Sequence, residues 1–103
     1  MFNTPILFLI FNRLNTTKQV FEKIKEIQPQ YLYIAADGPR TYREGEEIVC
    51  KEVREWVISQ IDWDCIVTTR FQEQNQGCGL HVSGAITWFF EHVEEGIILE
   101  DDC

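Results

Sequence analysis

A chain of 103 residues that is 45% hydrophobic and 13% aromatic suits one small packed domain and is too apolar for a disordered tail. Its 17 acidic against 9 basic residues give a net charge of −8, which argues against nucleic acid as a partner, because that binding rests on clustered Lys and Arg. An acidic chain that holds a diphosphate needs a cation between the like charges, or helix N-termini aimed at the phosphates.

Residues 6–11, Ile-Leu-Phe-Leu-Ile-Phe, form a continuous apolar run without alternation, the pattern of a strand buried on both faces of a parallel sheet. The run is too short to span a bilayer and no basic region precedes it, so no transmembrane segment and a cytoplasmic location are expected. Asn12-Arg13 ends this strand, and Asn15, Thr16 and Thr17 offer capping side chains for a helix. Val20, Phe21, Ile24 and Ile27 then recur at helical spacing until Pro29. Residues 31–36 read as a second strand, closed by the turn sequence Asp37-Gly38-Pro39.

The polar stretch 41–47 reads as a loop, after which Val49, Val53, Trp56, Val57 and Ile61 make one face of a second helix. Residues 65–69 read as a third strand. The segment 72–79, with Asn75, Gly77 and Gly79, reads as a loop into a third helix whose apolar face is Val82, Ala85, Ile86, Phe89 and Val93. A last strand, 97–99, runs directly into Glu100-Asp101-Asp102. Strands alternating with helices give an α/β chain with a mainly parallel sheet and helices on both faces, arranged as a three-layer Rossmann-like domain. The expected strand order is 3-2-1-4, with the most apolar strand central. Ligands of such sheets bind beyond the carboxyl ends of the strands, so Asn12-Arg13, Asp37-Gly38, the segment from Arg70 to Asn75, and Asp101-Asp102 should share one edge.

Three adjacent carboxylates after an apolar strand repel one another unless a cation or strong donors sit among them. Hard oxygen ligands suit Mg²⁺ or Mn²⁺ completed by substrate phosphates, while a solvated turn is the plainer account of the triplet alone. In an extended segment Glu100 and Asp102 share a side and Asp101 takes the other. Asp37-Gly38 suits either a carboxylate facing a base or ribose or an ordinary turn, and Arg13 suits either a phosphate partner or a surface cation. Residues 75–79 could expose backbone N–H groups but do not satisfy the dinucleotide fingerprint. His81 and His92 do not share a helix face as a metal pair would, and read as structural or solvated. Trp56, Trp63, Trp88, Phe89 and Phe90 read as core and interface aromatics. The four cysteines show no Cys-x-x-Cys pair and are expected to be reduced thiols.

Taken in order, Asn12-Arg13, Asp37-Gly38, Arg70 with Asn75 and Gly77, Trp88-Phe89-Phe90-Glu91, and the run from Gly96 through Glu100-Asp101-Asp102 resemble the GT-A glycosyltransferases. The branch most similar is the N-acetylglucosaminyltransferase I-like one, with an E-D-D version of the D-x-D motif. The resemblance implies that residues 1–103 are the N-terminal sugar-nucleotide-binding part of a nucleotide-diphospho-sugar transferase, truncated after the acidic motif. It implies a nucleotide-sugar donor of the uridine diphosphate type, an acceptor of unassigned identity, and Mn²⁺ or Mg²⁺. It places Asn12, Arg13, Asp37, Gly38, Arg70, Asn75 and Asp101 at the nucleotide sugar, with Asp37 by the base and Asp101 by the ribose. Asp102 would ligate the metal, with Glu100 completing that cluster. The catalytic base is expected in sequence absent from this chain, so the piece is expected to be inactive alone. Two other classes fit the same residues: a non-enzymatic sugar-nucleotide or metal-binding module, and an interaction fragment that self-associates through an exposed sheet edge.

Overall fold

The computed structural model describes residues 2–101. Seven elements follow one another: β1 (Ile6–Ile10), α1 (Leu14–Ile27), β2 (Tyr31–Ala36), α2 (Glu46–Ser59), β3 (Ile66–Phe71), α3 (Cys78–His92) and β4 (Ile97–Glu100). The four strands form one parallel sheet in the order β3-β2-β1-β4, as the apolar gradient along the sequence anticipates. All five residues of β1 are buried, which only a central strand covered on both faces allows.

The alternation of side chains along the strands divides the core in two. Ile6, Phe8 and Ile10 face one way and pack with Leu32 and Ile34 of β2, Phe21 and Ile24 of α1, and Val53 and Val57 of α2. Leu7, Leu9 and Ala35 face the other way, against Ala85 and Phe89 of α3. The result is three layers, with α1 and α2 on one face and α3 alone on the other. Trp63 belongs to the first layer: its ring lies 6.1 Å from that of Phe21, and its indole N–H donates to the Pro29 carbonyl at 2.9 Å. Among the described residues, no helix is long and apolar enough to cross a membrane. β3 and β4 are the two edge strands.

Three local expectations are corrected. Asn15, Thr16 and Thr17 lie inside α1, whose N-cap is Arg13, and the hydroxyls of Thr16 and Thr17 donate back to the Arg13 carbonyl at 3.3 and 2.6 Å. Such back-bonding satisfies a hydroxyl within the first turn, so it resembles capping in sequence. Glu46 opens α2 instead of closing a loop, because its side chain is fixed by partners distant in sequence. Cys78 is disulfide-bonded, against the expectation of four reduced thiols. Spacing along the chain cannot report a bridge between segments that only the fold brings together. Cys50 and Cys65 are free, and burial pushes the Cys50 thiol from 9.0 up to about 11, which makes it unreactive at neutral pH. Cys103 lies outside the described residues.

Candidate functional site

Each helix buries one row of side chains, and each row begins with a polar residue. In α1 the row is Thr17, Phe21, Ile24; in α2 it is Glu46, Cys50, Val53, Val57; in α3 it is His81, Ala85, Phe89. These spacings of three and four are the helical period. Helices that return antiparallel to the strands start near the strands' carboxyl ends, so all three polar residues arrive at one edge of the sheet. Asp37, just beyond β2, joins them there at 3% exposure.

A cleft of about 620 Å³ opens at this edge. Of the residues singled out in the sequence, Asn12, Arg13, Asp37, Asn75, Glu100 and Asp101 line it together. Arg70 does not line it. Its guanidinium packs against α3 at Gly84, where a Cβ would meet Nη2 at 3.0 Å. Gly38 lies behind the wall, with a hypothetical Cβ at 2.5 Å from the Gln74 carbonyl carbon, so the glycine lets segment 72–77 close onto the end of β2. Asp102 lies outside the described residues.

Asp37 has its acceptor positions engaged. Oδ1 accepts from the N–H groups of Gly38 at 2.8 Å and Gln76 at 2.9 Å, and Oδ2 accepts from Gly77 N–H at 3.1 Å and Asn75 Nδ2 at 3.2 Å. Asn75 Nδ2 also reaches the Gly38 carbonyl at 2.9 Å. The carboxylate therefore clamps residues 75–77 at the start of α3. Arg54 closes the same joint from outside, donating to the carbonyls of Asp37 and Gln72 at 2.9 and 2.7 Å while stacking 5.0 Å from the Phe71 ring centroid.

The opposite wall rests on Glu46. Its carboxylate accepts from Arg40 Nε at 2.9 Å, Arg40 Nη2 at 2.6 Å, the Arg40 backbone N–H at 2.8 Å, and Asn12 Nδ2 at 3.1 Å. These bonds, those from the Arg40 side chain foremost, hold the Glu46 carboxyl at about 2, well below the ordinary 4.5, although burial opposes the shift. Glu46 in turn raises the Arg40 guanidinium above its usual value. Three arginines, Arg13, Arg40 and Arg43, line the cleft of this acidic chain.

The carboxylates of the acidic motif part at the end of β4. Glu100 pairs in register with Leu9, on the α3 face, and is exposed. Asp101 donates its N–H to the Leu9 carbonyl at 3.0 Å, and its Oδ2 lies 3.3 Å from the Thr17 hydroxyl oxygen, on the α1 side. Among the described residues, no group of three or more His, Cys, Asp or Glu is placed to hold a metal ion.

His81, read in the sequence as structural or solvated, is a buried part of the cleft wall. It is only 4% exposed, and neither ring nitrogen, both shielded from solvent, has a hydrogen-bond partner among the described residues. Burial lowers its pKa, and the charges of Arg70 and Arg54 add to that effect while Asp37 opposes it. The imidazole is thus kept neutral, with one donor and one acceptor. The only signal in the sequence is that a histidine opens the row Ala85, Phe89, where an apolar residue would complete the core. No family model, curated protein or solved structure matches the chain.

Proposed function

We propose that the cleft is the donor site of a metal-dependent glycosyltransferase, taking a nucleotide-diphospho-sugar of the uridine diphosphate type. The observation that carries this reading is the convergence of Asn12, Arg13, Asn75, Glu100, Asp101 and the unpartnered His81 on one cleft beyond the carboxyl ends of β1, β2 and β4. Arg13, Arg40 and Arg43 supply the positive wall that a diphosphate requires. His81 belongs to the same wall, with both ring nitrogens shielded from solvent. Asp37 acts by setting segment 75–77 instead of contacting the ligand, because its own acceptors are engaged.

Glu100 and Asp101 each place a hard oxygen donor at the rim, on opposite sides of the end of β4, so one of them together with phosphate oxygens would hold Mg²⁺ or Mn²⁺. Such an ion, when bound, neutralises charge on the departing nucleoside diphosphate. No residue of this chain is assigned as the catalytic base, so its contribution to the transfer is donor recognition.

The test is calorimetric titration of uridine diphosphate into the folded chain, first with Mn²⁺ and then with chelator. Metal and nucleotide are expected to raise each other's affinity by the same factor. A folded chain that binds no nucleoside diphosphate under either condition defeats the reading.

A further inference from the structure

The lip of the cleft carries Tyr42 and Arg43, side by side. Tyr42 lines the cleft while 77% exposed, with the Arg43 guanidinium 5.9 Å from its ring centroid and its hydroxyl beside the Arg40 guanidinium. Arg43 also lines the cleft and, among the described residues, forms no salt bridge, although Glu44 and Glu47 are close in sequence and acidic residues outnumber basic ones across the chain. Arg40, by contrast, is committed to Glu46.

The root of this lip is fixed. Arg40 is tied to Glu46 through its backbone and its side chain, its guanidinium sits 5.5 Å from the Phe11 ring centroid, and the turn is closed by Arg43 N–H to the Arg40 carbonyl and Glu46 N–H to the Arg43 carbonyl. Gly45 then takes φ 81°, which lets the chain turn sharply into α2. An exposed aromatic ring and an uncommitted cation are therefore held on a rigid base at the mouth of a polar cleft. A single exposed tyrosine is ordinary on a protein surface. What distinguishes this one is the pairing of a ring with a cation that, among the described residues, has no carboxylate partner, both lining the same cavity.

We propose that Tyr42 and Arg43 form a two-part clamp for a nucleoside diphosphate, the phenol ring stacking on the base or ribose while Arg43 pairs with a phosphate. This deepens the donor-site reading and rests on it. Stacking on an aromatic face is tolerant of base identity, and a guanidinium needs no metal to meet a phosphate. Part of the affinity is therefore independent of the divalent ion.

The experiment takes whichever of uridine, guanosine and thymidine diphosphate the wild-type chain binds most tightly, together with its nucleoside and with inorganic pyrophosphate. Each is titrated calorimetrically in chelator and in Mn²⁺ against wild type, Tyr42→Ala, Tyr42→Phe and Arg43→Ala. Both positions are exposed, and circular dichroism checks that the variants fold. Tyr42→Ala is expected to weaken the diphosphate and the nucleoside about tenfold and leave pyrophosphate unchanged, while Tyr42→Phe stays near wild type. Arg43→Ala is expected to weaken the diphosphate and pyrophosphate about fivefold, in chelator as well as in Mn²⁺. If wild type binds the nucleotide and both alanine variants stay within about twofold of it, the clamp is wrong and the donor site stands. If wild type binds none of the three nucleotides, both fall together.

Discussion

Replacing Asp37 by Asn keeps the shape of the side chain and reverses the polarity of one of its two ends. In the structure each carboxylate oxygen faces two N–H donors, so either orientation of the amide turns an NH₂ group toward two donors. Two hydrogen bonds to a charged, 97% buried acceptor site are lost, since Asp37 is only 3% exposed. Bonds of this kind contribute about 1.5–3 kcal/mol each. Partial relaxation of segment 75–77 recovers some of that, which leaves an expected loss of roughly 2–4 kcal/mol. A domain of this size has a total stability of about 5–15 kcal/mol, so the transition should move by roughly 10–25 °C. Urea denaturation followed by tryptophan fluorescence reads the free energy directly. Asn75→Ala provides the internal check, because Asn75 Nδ2 is one of the four donors, and the two changes together should cost about 0.5–3 kcal/mol less than the sum of their separate effects. A loss under about 1 kcal/mol for Asp37→Asn, or strict additivity with Asn75→Ala, would refute the assignment of Asp37 as the clamp of this segment.

Gly38→Ala brings a Cβ to 2.5 Å from the Gln74 carbonyl carbon and must push that backbone away, costing about 1–3 kcal/mol, whereas Gly79→Ala meets nothing within 4 Å inside α3 and should be neutral or stabilising by up to about 1 kcal/mol; equal effects in chemical denaturation would overturn the packing argument. The depressed Glu46 carboxyl contributes stability that is complete above pH 4.5 and is lost as pH falls toward about 2, so thermal melts of Glu46→Gln should start lower at neutral pH and decline less across that window; parallel curves for variant and wild type would count against it. His81→Leu removes two unpartnered buried ring nitrogens and is expected to raise stability by about 1 kcal/mol while weakening nucleoside diphosphate binding, and a variant with unchanged affinity would separate His81 from the site.

The layer architecture was legible because it depends on patterns that survive without partners. The unbroken apolar run at 6–10 marks a strand covered on both faces, and the rows Phe21 with Ile24 and Val53 with Val57 mark helix faces by their period alone. Strand ends were equally readable, so the set of residues meeting at the carboxyl edge followed from the parallel topology. What was not legible depends on side chains meeting across the sheet. Asp37 reads as an ordinary turn aspartate until segment 75–77 is folded onto it. Glu46 reads as part of a polar loop until Asn12 and Arg40 arrive from other segments. Arg70, adjacent in sequence to the loop that borders the cleft, lies on the α3 face of an edge strand and packs against Gly84. Sequence adjacency to a site does not decide which side of a strand a residue occupies.

The buried polar residues separate structural need from ligand need more sharply than the acidic motif does. Thr17, Asp37, Glu46 and His81 are the buried polar or charged side chains among the described residues, and all four stand at the carboxyl edge. Burying such groups costs free energy unless their hydrogen bonds are made. Thr17 donates to the Arg13 carbonyl, Asp37 accepts four N–H groups, and Glu46 accepts four bonds from Arg40 and Asn12, so the fold accounts for these three by itself. His81 is different, since an apolar residue would extend the row of Ala85 and Phe89 without leaving two ring nitrogens unbonded. A side chain that the fold alone would do better without, in the wall of a cleft that Asn75 and three arginines also line, is the one of these four that the hydrogen bonds among the described residues leave unexplained.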